Sequence, residues 1–128
     1  MKAIVIIFAT LFVIVGAGLT GCYKDVVLPV AGADPNAPPK QYSFSKDIAP
    51  LLNTNCAKSG CHVAGAQSPD METAVSYNSL VNGGFVNTDF PSQSILYQQL
   101  TGNMEEHMPN AADRQKVYDW IRTGAQNN

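Results

Sequence analysis

One heptapeptide, Cys56-Ala-Lys-Ser-Gly-Cys61-His62, limits what this chain can become. Two thiols and an imidazole within seven residues must sit together whatever the rest of the fold does. Such a set has few chemical uses: a disulfide, a metal site, or two thioether attachments with an adjacent ligand. The last is the arrangement that attaches haem c, in which each sulfur bonds a vinyl group and the following histidine ligates iron. The usual spacing leaves two residues between the cysteines and this one leaves four. Ser59-Gly60 supplies the freedom for the longer loop to bulge outward.

The remaining cysteine belongs to a different context. Lys2 precedes an apolar run over 3–15, then small residues leading to Leu19-Thr20-Gly21-Cys22. A basic residue, an apolar core and a small-residue cut site describe a secretory leader over 1–21. The end of it is similar to the bacterial lipobox, which implies that Cys22 is lipidated and becomes the new N-terminus. An uncleaved anchor is the weaker reading, because the run is short for a span of about 20 residues. Export leaves Cys56 and Cys61 as a pair in an oxidising compartment, where a disulfide or a modified site is expected.

Residues 22–41 then form a tether, with Pro29, Pro35, Pro38 and Pro39 and no helical period. Extended at about 3.1 Å per residue, it reaches roughly 60 Å from the lipid. The foldable part is 42–128, a core small enough to need a staple or an apolar prosthetic body. Eight basic residues stand against ten acidic ones, and one of the basic residues is in the leader. No basic patch points to nucleic acid, and a mildly acidic surface favours basic partners only weakly.

Apolar periodicity predicts four helices and no strands, an all-α domain. The first covers 45–55, capped by Ser45 or Asp47, with Pro50 in its first turn and Ile48, Leu51 and Leu52 on one face. The second covers 74–81 and stops at Asn82-Gly83-Gly84. The third covers 92–100, opened by Pro91 and closed by Thr101-Gly102. The fourth covers 111–123, capped by Asn110, with Val117, Trp120 and Ile121 buried and Gly124 ending it. Trp120 and Tyr97 read as packing residues.

With haem at Cys56 and Cys61, His62 is the proximal ligand, and the distal candidates are Met71, Met104, His107 and Met108. Zinc is a rival, since Cys56, Cys61, His62 and His107 make four donors. Adjacent Cys61 and His62 reach one tetrahedral ion poorly, however, and the compartment works against free thiolates. A thioredoxin-like redox pair needs closer cysteines in a βαβ setting. No phosphate loop, Ser/His/Asp set or paired catalytic carboxylates stand in a suitable setting, and an enzyme is not expected.

The segment 44–125 resembles the small class I cytochromes c, in particular exported monohaem domains of environmental bacteria. The resemblance rests on Asp47-Ile48-Ala49-Pro50-Leu51-Leu52, Cys56 to His62, Tyr77-Asn78-Ser79-Leu80-Val81-Asn82-Gly83 and Ser94-Ile95-Leu96-Tyr97. Leu100-Thr101-Gly102, Met108-Pro109, Asp119-Trp120-Ile121 and Gly124-Ala125 follow in the family's order. It implies four to five short helices around one covalent haem c, with Met108 matching the family's distal methionine and His62 its proximal histidine. The departures are the four-residue gap and His107 beside Met108, which keeps His107 as the alternative distal ligand.

The expected function is single-electron transfer by a lipid-anchored cytochrome, shuttling between unidentified redox proteins in the periplasm or at the cell surface. Tyr23 stands where some lipoproteins carry an inner-membrane aspartate, so resemblance favours the outer membrane. The alternatives are a haem-based ligand-binding or sensor module with a displaceable Met108, and a haem-free surface lipoprotein stapled by Cys56–Cys61.

Overall fold

The computed structural model describes Asp34 and residues 36–128. The segment expected to be a leader, Cys22 and most of the expected tether lie outside them. Within the described residues the domain is all-α: there is no strand, and no helix is long and apolar enough to cross a membrane.

A wide π turn, Phe44–Ile48, runs directly into α1, Ala49–Cys56. The cap is Ser43, not Ser45 or Asp47. Ser43 Oγ accepts from Lys46 N at 3.3 Å, and Asp47 Oδ2 accepts from Ser43 N at 2.9 Å, so Asp47 closes the cap from inside the turn. Pro50 sits in the first turn of α1, where a missing N–H costs nothing. Phe44, Ile48, Ala49, Leu52 and Cys56 make its buried face.

Helix α2, Ser76–Val81, starts two residues later than the periodicity predicts. Gly84, at φ +75°, then turns the chain so that Phe85 N donates to Leu80 O at 2.9 Å. The expected helix over 92–100 is broken in two: a 3₁₀ turn, Pro91–Gln93, and α3, Ile95–Leu100. Buried Ser94 makes the break. Its backbone is extended, and its Oγ accepts from Asn87 N at 2.8 Å and donates to Asn87 O at 3.1 Å. A second 3₁₀ turn, Glu105–His107, precedes α4, Ala111–Arg122. Asn110 Oδ1 caps α4 by accepting from Ala112 N at 3.0 Å.

Helix α4 ends in a Schellman turn. Gly124 N donates to Ile121 O at 3.0 Å and Ala125 N to Trp120 O at 2.9 Å, with Gly124 at φ +97°. Trp120 is the centre of the core. Its ring lies 5.1 Å from that of Phe44 and 6.4 Å from that of Tyr77, which packs edge-on to Phe44 at 5.1 Å. Its Nε1–H reaches Gln126 O at 3.0 Å, and Tyr77 OH donates to Ala125 O at 3.1 Å. Tyr97 packs between helices, stacked on Tyr118 at 4.2 Å with Arg122 on the Tyr118 ring.

Lys40, residues 43–45 and Asn128 are tied to this core. Asn128 O accepts from Ser45 N at 2.9 Å and from the Ser43 and Ser45 hydroxyls at 2.8 Å, while Asn128 Oδ1 accepts from Phe44 N at 2.9 Å. Lys40 N donates at 3.2 Å to Asp119, a buried carboxylate that also accepts from Gln115 and Arg122. The last residues expected to belong to the tether are thus already held against α4.

Trp120 carries the largest single share of this packing. Trp120→Ala is expected to destabilise the fold by about 3–5 kcal/mol in denaturant unfolding. Trp120→Phe, which keeps most of the ring contacts but loses the bond to Gln126, is expected to cost less than half of that. Equal losses in the two variants would contradict the packing account.

Candidate functional site

The heptapeptide begins as the end of a helix. Cys56 is the last residue of α1, and Ala57 leaves helical geometry. The four intervening residues bulge outward: Lys58, Ser59 and Gly60 are exposed, and Gly60 takes φ +79°. The bulge is pinned at its neck, with Lys58 N donating to Cys56 O at 2.8 Å, Cys61 N to Lys58 O at 2.8 Å and His62 N to Cys56 O at 3.3 Å. Cys61 and His62 are thereby folded back beside the end of α1. Both thiols are free.

Cys56, Cys61 and His62 share the wall of a cavity of about 510 Å³, a size typical of small-molecule sites. Its apolar lining comes largely from Met71, Phe85, Leu96 and Leu100, with Ile95 at the rim. His62 is oriented from behind. Its Nδ1 lies 3.0 Å from Pro69 O, and a carbonyl only accepts, so Nδ1 carries the proton. The lone pair is left on Nε2, the arrangement in which an imidazole ligates a metal. Met71 N in turn donates to His62 O at 2.9 Å, fixing the strand of chain that brings Pro69 and Met71 to the wall.

The distal candidates are placed unevenly. Met71, Met104 and His107 line the cavity. Met108 does not: it is 1% exposed and belongs to the core cluster with Val117 and Leu100. His107 stands at the rim, with a side chain 55% exposed and Nε2 3.5 Å from Glu106 Oε1. Among the described residues no three His, Cys, Asp or Glu side chains gather as a metal cluster. Cys56, Cys61, His62 and His107, the four donors of the zinc alternative, line one cavity.

Two supporting residues escaped the sequence reading. Pro69 has no side-chain chemistry to announce it, since its contribution is a carbonyl. Arg114 reads as an ordinary helix-surface cation, but its guanidinium turns back onto the loop that carries the distal candidates. Comparison with protein-family models, curated proteins and solved structures gave no match.

Burial pushes the Cys56 thiol above its ordinary range, with Cys61 adding to the rise and Lys58 opposing it. A pKa raised by folding contributes stability that is intact below the unfolded value and fades as pH climbs through the folded one. The haem-free fold should therefore weaken as pH rises beyond the ordinary thiol range. Cys56 is only 9% exposed and Cys61 more open. Iodoacetamide applied to haem-free protein near neutral pH is expected to label Cys61 before Cys56, read peptide by peptide by mass spectrometry. Labelling at equal rates would contradict the placement of Cys56 inside the wall.

Proposed function

We propose that this protein is a monohaem c-type cytochrome, lipid-anchored through Cys22, that passes single electrons between redox proteins on its membrane. Cys56 and Cys61 hold haem c covalently and His62 is the proximal ligand. The observation that carries the reading is the His62 Nδ1 contact to Pro69 O, on the wall of an apolar cavity that both thiols share. A solvated loop histidine has no need of a fixed tautomer. A structural disulfide has no need of a cavity beside it.

The residues fit the group. Two free thiols stand on one wall beside an imidazole whose Nε2 is available, and the loop 104–108 brings a second set of soft and nitrogen donors to the same region. When bound, haem supplies an iron that changes oxidation state by one electron, at a potential raised where a thioether opposes the imidazole. The chain's own part would be to hold the iron through His62 and a donor of the 104–108 loop, and to line the site with Leu96, Leu100 and Phe85. Such a group suits an electron carrier. Of the loop's donors, Met104 and His107 line the cavity, whereas Met108 serves only by leaving the core. The lipid and the Pro-rich tether keep the domain at the membrane with freedom to meet partners.

One observation favours a second reading. Met108, the donor named by resemblance, is packed in the core, and exposed His107 leaves the cavity rim open. A distal position held that weakly suits a haem-based sensor whose ligand is displaced by a small molecule. Tight carbon monoxide binding by the reduced protein would decide for the sensor, and its absence for the carrier.

The first test is a pyridine haemochrome spectrum after acid–acetone extraction, on protein co-expressed with a cytochrome c maturation system. Retained colour of haem c type is expected, and colourless protein would end the reading. His62→Ala is expected to abolish stable holoprotein. Replacing both Met104 and Met108 by Leu is expected to leave haem attached, remove the thioether signature in the ferric spectrum and lower the potential. A thioether signature retained in that double variant would transfer the distal role to Met71, and its absence from the parent would transfer it to His107.

A further inference from the structure

Arg114 is a cation in the first turns of α4, the end of a helix whose dipole disfavours positive charge. It is also poorly exposed, at 13% of its side chain. Its compensation lies outside the helix. One terminal nitrogen, Nη1, donates to Met108 O at 2.7 Å and to Pro109 O at 2.8 Å. The other, Nη2, pairs with Glu105 Oε1 at 2.9 Å. The three acceptors bracket the distal loop, with Glu105 just after Met104 and the two carbonyls just after His107.

We infer that Arg114 is the positioning residue of the distal loop, fixing where segment 104–109 hangs over the cavity and hence how firmly its donor holds the iron. The inference rests on the haem reading above, but it holds whichever donor of the loop is the ligand. The loop needs such a clamp. Pro109 disfavours helical backbone at Met108, and the backbone bonds of the helix start at Asn110 O, which accepts from Asp113 N and Arg114 N. Met108 O and Pro109 O lie upstream of that point and take the guanidinium instead. A planar fork serves two adjacent carbonyls and a carboxylate at once, which a lysine ammonium on a flexible stem does less well. The bonds are charge-assisted, the one to Met108 O is part-buried, and the exposed ends at Pro109 and Glu105 add less.

The test uses full-length holoprotein and imidazole as a competitor for the distal position. Arg114→Gln is expected to retain covalent haem and helical content, but to bind imidazole at least about tenfold more tightly than the parent, equivalent to ~1.4 kcal/mol of distal grip lost. Its reduction potential should shift as the distal donor is held less of the time, downward where that donor is a thioether. Arg114→Lys should lie between parent and Arg114→Gln, and Glu105→Gln should stay close to the parent. Asn110→Ala weakens the same helix end by removing its cap, and is expected to lower thermal stability without changing imidazole affinity.

Imidazole binding and potential unchanged in Arg114→Gln would overturn the inference while leaving the haem reading intact. An equal rise in affinity in Asn110→Ala would also overturn it, because general loosening would then explain the effect. If Arg114→Gln gives no holoprotein, the comparison of Arg114→Lys with Asn110→Ala decides in the same way. Parent protein without covalent haem would bring down the haem reading and this inference with it.

Discussion

The contact between Phe44, Tyr77 and Trp120 is what the rest of the domain hangs from. No helix here is long: α2 and α3 have six residues each, too few to be stable alone in water. They persist because Leu80, Leu96 and Leu100 join the apolar cluster that Trp120 centres. The C-terminal residues are drawn in by the same group, since Gln126 and Ala125 bond to Trp120 and Tyr77 while Asn128 closes on Ser43 to Ser45. With its first and last elements fixed together, the chain between them is left to loops and short turns. Those loops carry every candidate ligand except Cys56.

This division explains what could be read from the residues and what could not. The burial of Val117, Trp120 and Ile121, the Asn110 cap and the Gly124 stop are local matters of spacing and backbone freedom, and all are where the periodicity puts them. The start of the first helix was misplaced because Ser43, Ser45 and Asp47 are all plausible caps in isolation. Bonds between Asp47 and Ser43 and between both serines and Asn128 make the choice, and the second set comes from the far end of the chain. The break at Ser94 has the same origin. Nothing in Pro91-Ser92-Gln93-Ser94 forbids a continuous helix, but bonding of Ser94 Oγ to both backbone groups of Asn87 holds that residue extended. Tertiary partners override local preference at both places.

The site divides along the same line. The two thiols and the imidazole announce themselves, because their chemistry is in their side chains and their spacing is short. What orients them is backbone: a carbonyl at Pro69 behind His62, and carbonyls at Met108 and Pro109 under Arg114. Main-chain acceptors carry no residue signature, so the supports of the site are invisible until the chain is folded. Met108 shows the converse, a residue whose neighbour Pro109 singles it out in the sequence while the fold packs its side chain among core residues.

The cavity itself has a thermodynamic meaning for so small a domain. Apolar walls lined by Met71, Phe85, Leu96 and Leu100 that face water forgo the burial that stabilises the rest of the core. A large apolar body fixed there would convert those walls into core, and anything that binds only the folded state adds its binding free energy to stability. Covalent attachment strengthens this coupling, since the body stays with the chain when it unfolds and returns with it. On that account the open cavity and the short helices are two sides of one design. On the proposed reading, the protein part would grip a group that supplies the missing interior, with Pro69 behind His62 and Arg114 under the 104–109 loop on either side of it.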